Sequence, residues 1–271
     1  MFTFVIPAYN EEATVATIVE QAHKAAQSAD RVLVVDSAST DGTVEAATRA
    51  GAEVLRGPRG KGAAMSAALA EVRTEWVCYL DSDLVSSTEN VPAMLREAAA
   101  SGTSDHVVGD YEYDYPGTIL SSTFTIYEPL AAAFFPEVGS HGANSLTGYR
   151  AIRTASIPKP LPSDFGVESF LNISVAVAGG KASVCHLGVV SSRFRYNGGT
   201  MAHEIGRTIL DLAIAHGRLA PDQRPAWDRW LEEGVRALAH HEADSGRSAT
   251  LARLFAAVRR PMPSRTHAPA I

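Results

Sequence analysis

The sequence has no excess of basic residues and very little cysteine. Its 271 residues include 24 Lys and Arg against 30 Asp and Glu, which gives a formal net charge of −6. Because nucleic-acid-binding proteins usually carry a basic patch or stripe, we expect no nucleic-acid partner. The two cysteines, Cys78 and Cys185, each lie in an apolar run. Thiols in such runs are typical of buried free cysteines in a reducing compartment, so we expect a cytoplasmic protein.

Long hydrophobic runs are lacking as well. The longest strongly apolar run, residues 130–135, is far shorter than the roughly 18–20 residues that a membrane span requires. The first residues, MFTFVIPAYNEE, lack the basic region of a signal peptide. The best candidate for membrane contact is 250–260, in a chain whose negative charge repels anionic lipid. We therefore expect no stable membrane insertion, and we expect the C-terminal helices to cap the core or to form the contact of a homodimer.

What the sequence does contain is a regular alternation of β-rich and helical segments in its first hundred residues. Phe2 begins a short apolar run that Pro7 is expected to end, and residues 31–35 (RVLVV) are apolar throughout, as in a strand covered on both faces. Residues at helical spacing follow each run. This order predicts a parallel, doubly wound α/β sheet. Further strands are predicted at 107–113, 145–149 and 182–190, and further helices at 201–216, 225–241 and 248–258.

Polar and acidic residues follow three of the predicted strands. They are residues 7–12 (PAYNEE), 36–42 (DSASTDG) and 81–83 (DSD). Ligands of open α/β sheets bind outside the carboxyl ends of the strands, where these three segments converge. A single acidic residue at such a place is as well explained by helix capping. Three acidic strand ends at one edge of a sheet indicate a binding site.

The segment Asp81-Ser82-Asp83 points most directly to a particular chemistry. Two carboxylates two residues apart in a loop can both reach one divalent cation, which can bridge a diphosphate. The alternative is a turn stabilised by side-chain hydrogen bonds to the backbone. Lys61, between two glycines, could meet a phosphate, although the segment is not a P-loop. No G-x-G-x-x-G follows the first strand, so the usual dinucleotide-binding fold is not expected.

Taken in order, VIPAYNEEATV, VVDSASTDGT, GKGAAMSAAL and YLDSDL resemble the nucleotide-sugar-binding half of family 2 glycosyltransferases. The resemblance covers residues 2–84 and implies the GT-A fold, a Rossmann-like and mostly parallel sheet flanked by helices. It implies that Asp36 and Ser37 read the uracil and ribose of a UDP-sugar and that Asp83 binds Mg²⁺ or Mn²⁺. The full set of nucleotide-sugar contacts that it implies is Pro7, Ala8, Tyr9, Glu11, Asp36, Ser37, Lys61, Asp81, Ser82 and Asp83.

The second half is similar to glucosyl-3-phosphoglycerate synthases. The segments that carry this similarity are EPLAAA, FPEVG, GVE and LGV, at 128–133, 135–139, 166–168 and 187–189. It implies that Glu168 is a catalytic residue beside the transferred sugar, and that Thr123, Arg195 and Asn197 bind the acceptor. The arginine that holds the acceptor phosphate in those enzymes is Ser121 here. Their metal-binding histidine falls at Arg195, which makes His203 the candidate for a second metal ligand.

Together these resemblances imply a metal-dependent enzyme that moves a hexose from a UDP-sugar to a small, polar, soluble acceptor. Arg150, Arg153, Lys159 and Arg195 are candidates to receive an anionic acceptor, or they are surface charges. The alternatives are a polyprenyl-phosphate glycosyltransferase, a sugar-1-phosphate nucleotidyltransferase and a non-catalytic nucleotide-sugar-binding module. We predict a GT-A catalytic domain at 1–198, with a nucleotide-sugar-binding half at 1–84 and an acceptor half at 85–198. A helical C-terminal extension at 199–260 and a disordered tail at 261–271 are predicted to follow.

Overall fold

The computed structural model describes residues 1–113, 122–193, 198–239, 252 and 255–264. Arg195 and Asn197, predicted to bind the acceptor, lie outside the described residues, as do Ser121 and residues 265–271 of the predicted tail. The strands are β1 (Phe2–Ala8), β2 (Arg31–Asp36), β3 (Glu53–Arg56), β4 (Trp76–Tyr79), β5 (Leu84–Ser87), β6 (His106–Tyr113), β7 (Arg150–Arg153) and β8 (Ala182–Ser192). The α-helices are α1 (Val15–Ala25), α2 (Thr43–Arg49), α3 (Lys61–Glu71), α4 (Val91–Ser101), α5 (Glu128–Phe134), α6 (Val167–Val177), α7 (Gly198–Ala215) and α8 (Arg224–Ala239).

The first four strands form the parallel, doubly wound half-sheet that the sequence predicts. β1 pairs in parallel with β2 on one side and with β4 on the other, and β3 pairs in parallel with β2. Helix α1 covers this half-sheet with buried residues at helical spacing, among them Val15, Ile18 and Val19. The sequence predicted that β1 ends before Pro7, but the strand continues to Ala8. Its pairing with β4 stops at Val5, so the missing N–H of Pro7 removes no hydrogen bond from that side.

The second half of the sheet is mixed. The strand order across the eight-stranded sheet is β3-β2-β1-β4-β7-β6-β8-β5. β7 is antiparallel to both β4 and β6, β8 is parallel to β6, and β5 is an antiparallel edge strand on β8. The strand predicted at 145–149 lies instead at Arg150–Arg153. Residues 143–146 form a turn, since the Asn144 side chain donates to Asp110 Oδ1 and to the carbonyl of Tyr111.

Three hydrophobic clusters hold these layers together. Two lie on the faces of the sheet, around Phe4 and around Val5. The third joins α5, α7 and α8, where Phe134 packs edge-on against the fully buried Trp227 with ring centroids 4.7 Å apart. This confirms a helical C-terminal region, although most of the helix predicted at 248–258 lies outside the described residues. Cys78 and Cys185 are both free. In the described part of the chain, no helix is long and apolar enough to span a membrane.

Candidate active site

The loops after β1 and β2 are tied to each other at the carboxyl edge of the sheet. The backbone N–H of Asn10 donates to Ser39 Oγ at 2.9 Å, and the N–H of Thr40 donates to Asn10 Oδ1 at 2.8 Å. Asn10 and Ala38 both have positive φ, at 54° and 61°. Left-handed backbone at residues other than glycine is uncommon and clusters at functional sites. These two hydrogen bonds hold the ends of β1 and β2 together, as the sequence predicts.

Asp36 and Ser37 are buried at the end of β2, where the family resemblance implies a contact with uracil and ribose. Asp36 is 1% exposed, and its Oδ1 accepts a hydrogen bond from the N–H of Ser39 at 3.2 Å. Its Oδ2 accepts no hydrogen bond from any described residue and lies 3.7 Å from the exposed guanidinium of Arg56. Buried acceptors are nearly always paired in native proteins. Asp36 Oδ2 is thus available to an N–H donor of a ligand.

Lys61 lies between two carboxylates from opposite halves of the chain. Its Nζ is 2.8 Å from Oδ1 of Asp81, at the end of β4, and 2.6 Å from Oε1 of Glu168, in the first turn of α6. Burial by itself would lower the pKa of Lys61. The two carboxylates outweigh this effect and raise the pKa above its ordinary value. The ammonium therefore stays charged and neutralises the buried Glu168.

The glycine after Lys61 explains how Glu168 comes so close. A Cβ at Gly62 would lie 1.9 Å from the carbonyl oxygen of Pro162. The N–H of Ala63 donates to the carbonyl of Ser163 at 2.9 Å. The loop that leads into α6 thus lies directly against the start of α3, and only glycine permits this approach.

Asp81 is held from its other side by a residue that sequence analysis missed. The N–H of Gly148 donates to Asp81 Oδ2 at 3.1 Å, and a Cβ at Gly148 would lie 2.0 Å from Asp81 Oδ1. The two oxygens of Asp81 therefore bind Lys61 and the loop before β7. Ser82, which follows Asp81, is also buried.

Asp83 lies where negative charge accumulates. Burial raises the pKa of Asp83 to about 7, and the carboxylates of Asp81 and Glu11 act in the same direction. A divalent cation relieves such repulsion, and Mg²⁺ and Mn²⁺ are bound through one or two carboxylates together with substrate phosphates. In the described ranges no three acidic, histidine or cysteine side chains form a metal-binding group. The carboxylates around Asp83 favour a divalent cation at this position, and substrate phosphates would supply further ligands.

Arg193, at the end of β8, is a second residue that sequence analysis missed. Its Nη2 lies 2.9 Å from Oε2 of the buried Glu11, and it also donates to the carbonyl of Asn10. Its N–H donates to the carbonyl of Asp83 at 2.7 Å. The resemblance pointed to Arg195, two residues further along, and no local pattern singles out Arg193. It joins the end of the acceptor half to the loops after β1 and β4.

The other predicted residues occupy different environments. Pro7 and Ala8 form the end of β1, and the guanidinium of Arg59 stacks on the ring of Tyr9, 4.1 Å from its centroid. Thr123 is buried as the first residue of a π-helix, Thr123–Tyr127, that leads into α5. His203 is exposed on α7, and it belongs to no metal-binding group of three or more side chains within the described residues. Its role as a ligand stays a prediction.

Two of the basic residues considered for an anionic acceptor are engaged elsewhere. Arg150 is fully buried, and its guanidinium donates to the carbonyl of Thr147 and to Asn172 Oδ1. It is therefore not accessible to an acceptor. Arg153 forms ion pairs with Glu75 and, at 3.6 Å, with Asp105.

The parallel half-sheet carries carboxylates at its strand ends, where ligands of open α/β sheets bind, and a mixed half-sheet extends it. This architecture agrees with the GT-A fold that the resemblance implies. Residues 3–151 match the model of the family described as glycosyl transferase family 2. The chain belongs to this family.

Two curated relatives and one solved structure illustrate the similarity. The chain is 33% identical over 183 residues to glycosyltransferase AglJ of Haloferax volcanii, and this alignment covers 66% of this chain and 59% of AglJ. It thus spans about three-fifths of that relative's length. It is 28% identical over 233 residues to glucosyl-3-phosphoglycerate synthase of Mycobacterium tuberculosis, and this alignment covers 76% of this chain and 71% of the synthase. A crystal structure of the latter enzyme with Mn²⁺, UDP-glucose and phosphoglyceric acid superimposes with a TM-score of 0.68, at 25% identity and with 79% of each chain covered.

Proposed function

We propose that this glycosyltransferase moves a hexose from a UDP-sugar to a small, polar, soluble acceptor, in the manner of glucosyl-3-phosphoglycerate synthase. The observation that carries the proposal is the position of Lys61 between Asp81 and Glu168. It brings a cation and the predicted catalytic carboxylate together at the strand end assigned to the diphosphate. Transfer from a nucleotide sugar needs positive charge at the leaving diphosphate and a polar group at the sugar.

The nucleoside would be bound at the ends of β1 and β2. Oδ2 of Asp36 is a buried acceptor suited to the N3–H of uracil, since a base with an acceptor at that position would leave two acceptors opposed. Tyr9 offers an aromatic face in the adjoining loop. A UDP-sugar therefore fits this end of the sheet better than a cytidine-linked donor does.

The diphosphate would lie between Asp83 and Lys61. Asp83 would hold Mg²⁺ or Mn²⁺, and the bound cation supplies positive charge that stabilises the departing UDP. Lys61 would contribute a charged ammonium to the same site, since its pKa is raised. Binding energy from the nucleoside then fixes the sugar so that its anomeric carbon faces the acceptor half.

Glu168 would act on the sugar or on the acceptor hydroxyl. Its carboxylate is 3% exposed and touches the ammonium of Lys61. In this environment it can accept a hydrogen bond from a sugar hydroxyl and stabilise positive charge that develops on the sugar ring. Thr123, buried at the start of the π-helix, is proposed to lie on the acceptor side.

UDP release from UDP-glucose, measured with Mn²⁺ or Mg²⁺ and a panel of acceptors, tests the proposal. We expect release to increase with 3-phosphoglycerate or a related small hydroxy acid and to require the metal. Glu168→Gln should abolish transfer, whereas the matched Glu45→Gln, at an exposed position of α2, should not. Transfer to polyprenyl phosphates alone would contradict the proposed acceptor, and formation of UDP-glucose from UTP and glucose 1-phosphate would contradict the reaction.

A further inference from the structure

Arg150 is a fully buried cation that makes no ion pair with any described carboxylate. Its Nε donates to the carbonyl of Thr147 at 3.0 Å, and its Nη1 donates to Asn172 Oδ1 at 2.9 Å. Burial lowers the pKa of Arg150, while the more distant Glu168 and Asp81 act to raise it. Burying a charge without a contacting partner is costly. The role of Arg150 therefore lies in the interactions that it organises.

Asn172 connects Arg150 to two further elements. Its Nδ2 donates to the carbonyl of Ser145 at 2.8 Å and to the hydroxyl of Tyr127 at 3.0 Å. With Oδ1 bound to Arg150, the whole amide is engaged, and Asn172 is 1% exposed. Such a fully satisfied buried network fixes the relative positions of the elements that contribute to it.

Each of those elements also carries a residue of the candidate site. Asn172 lies one helical turn after Glu168 on α6, so both side chains project from the same face of the helix. Tyr127 is the last residue of the π-helix that begins at Thr123. Arg150 follows the loop in which Gly148 binds Asp81. The buried guanidinium of Arg150 thus connects the elements that carry Glu168, Thr123 and the Asp81-binding Gly148.

We propose that Arg150 is a positioning residue that, through Asn172, fixes α6 and the π-helix so that Glu168 meets Lys61 and faces Thr123. This inference rests on the proposed function for the roles of Glu168 and Thr123. The hydrogen bonds of Arg150 and Asn172 do not reach the residues at the ends of β1 and β2, where the nucleoside would bind. Loosening the network should therefore impair transfer and acceptor binding while UDP binding is retained.

Two single-hydroxyl variants make a matched test. Tyr127→Phe removes the hydroxyl that accepts from Asn172, and Tyr79→Phe removes a buried hydroxyl with no hydrogen-bond partner among the described residues. Tyr79 lies opposite Arg150 across β4 and β7, so both variants alter the same region. We expect Tyr127→Phe to lower kcat or raise the acceptor KM by about fivefold, the scale of one hydrogen bond, with the Kd for UDP unchanged. Tyr79→Phe should leave all three constants unchanged.

Arg150→Lys tests the fork geometry, because lysine keeps the charge but cannot donate in parallel to Thr147 and Asn172. We expect the kcat of Arg150→Lys to fall further below the wild-type value than the kcat of Tyr127→Phe. Hydrogen exchange gives a readout that needs no substrate: amides of α6 should exchange faster in Tyr127→Phe and Arg150→Lys, and amides of β1 and β2 should not. Equal changes in α6 and β1, or parallel losses of UDP affinity and kcat, would overturn the positioning role. A wild-type protein inactive on UDP-sugars would contradict the proposed function, whereas hydrogen exchange would still test the network.

Discussion

Nζ of Lys61 lies 2.6 Å from Oε1 of Glu168, although the two residues come from opposite halves of the chain. The same ammonium binds Asp81, so the predicted diphosphate side and the predicted sugar side of the site share one cation. The side chains of Asp81 and Glu168 are 24% and 4% exposed, and among the described residues Lys61 is the cation that forms an ion pair with both. The contact therefore couples donor binding to the position of Glu168.

Lys61→Gln is expected to lower both activity and stability. Removing the ammonium leaves Asp81 and Glu168 close together without a counter-charge, which should cost roughly 2–3 kcal/mol of unfolding free energy in this partly exposed site. Loss of a positive group at the diphosphate should reduce kcat by roughly a hundredfold. Urea denaturation and UDP-release kinetics measure the two effects. Lys24→Gln, at an exposed position of α1, is the matched control, and equal behaviour of both variants would contradict the assignment.

Metal dependence through Asp83 is the second expectation. Asp83→Asn keeps the shape of the side chain but removes its charge, so turnover should fall by roughly two to three orders of magnitude while the fold is retained. The variant should also lose the stabilisation of UDP binding by Mn²⁺, which calorimetry with and without EDTA measures. Asp222→Asn, at an exposed position before α8, should behave as wild type. Full activity of Asp83→Asn, or of EDTA-treated wild type, would show that the metal is not held here.

The parts of the site that the sequence predicts are those encoded in single segments. Asp36 and Asp81 each follow an apolar strand, and the alternation of strands and helices predicts that their strand ends share one edge of the sheet. The mixed half-sheet was harder to predict, because the position of β7 depends on hydrogen bonds between Asn144 and β6 rather than on local propensity.

Contacts between distant segments could not be predicted in this way. Nothing near Gly148 indicates that it packs against Asp81, and nothing near Arg193 indicates that it pairs with Glu11. Both contacts exist because tertiary packing brings separate loops within hydrogen-bond distance. Glu168 was found only through a family resemblance, since an acidic residue in the first turn of a helix is favoured by the helix dipole in any case.

Asp36→Ala tests base recognition. The variant removes a buried acceptor with one oxygen free for a ligand N–H, so UDP affinity should weaken by roughly 1–3 kcal/mol, the scale of a lost charged hydrogen bond. Discrimination between UDP and CDP should weaken with it, because the opposed acceptors of the wild-type complex with CDP are no longer present. Calorimetry with both nucleotides gives the comparison. An unchanged preference for UDP would remove Asp36 from the base site.

The buried histidines near Arg150 predict a loss of stability in acid. Burial lowers the pKa of His141 to about 4, and the charge of Arg150 acts in the same direction. The pKa of His106 is also lowered, first by burial and then by Arg150 and His141. In the unfolded chain both imidazoles titrate near pH 6.5. Below that pH the unfolded state takes up protons that the folded state does not, so stability falls as the pH decreases from about 6.5 to 4.

His141 alone should make the protein roughly 2 kcal/mol less stable at pH 5 than at pH 8. Urea denaturation at a series of pH values measures this dependence. Carboxylates titrate in part of the same range, so the comparison is with His141→Asn, whose unfolding free energy should fall less steeply between pH 6.5 and 5 whatever its value at pH 8. If the slope of His141→Asn equals that of wild type, His141 accepts its proton equally well in the folded and unfolded states.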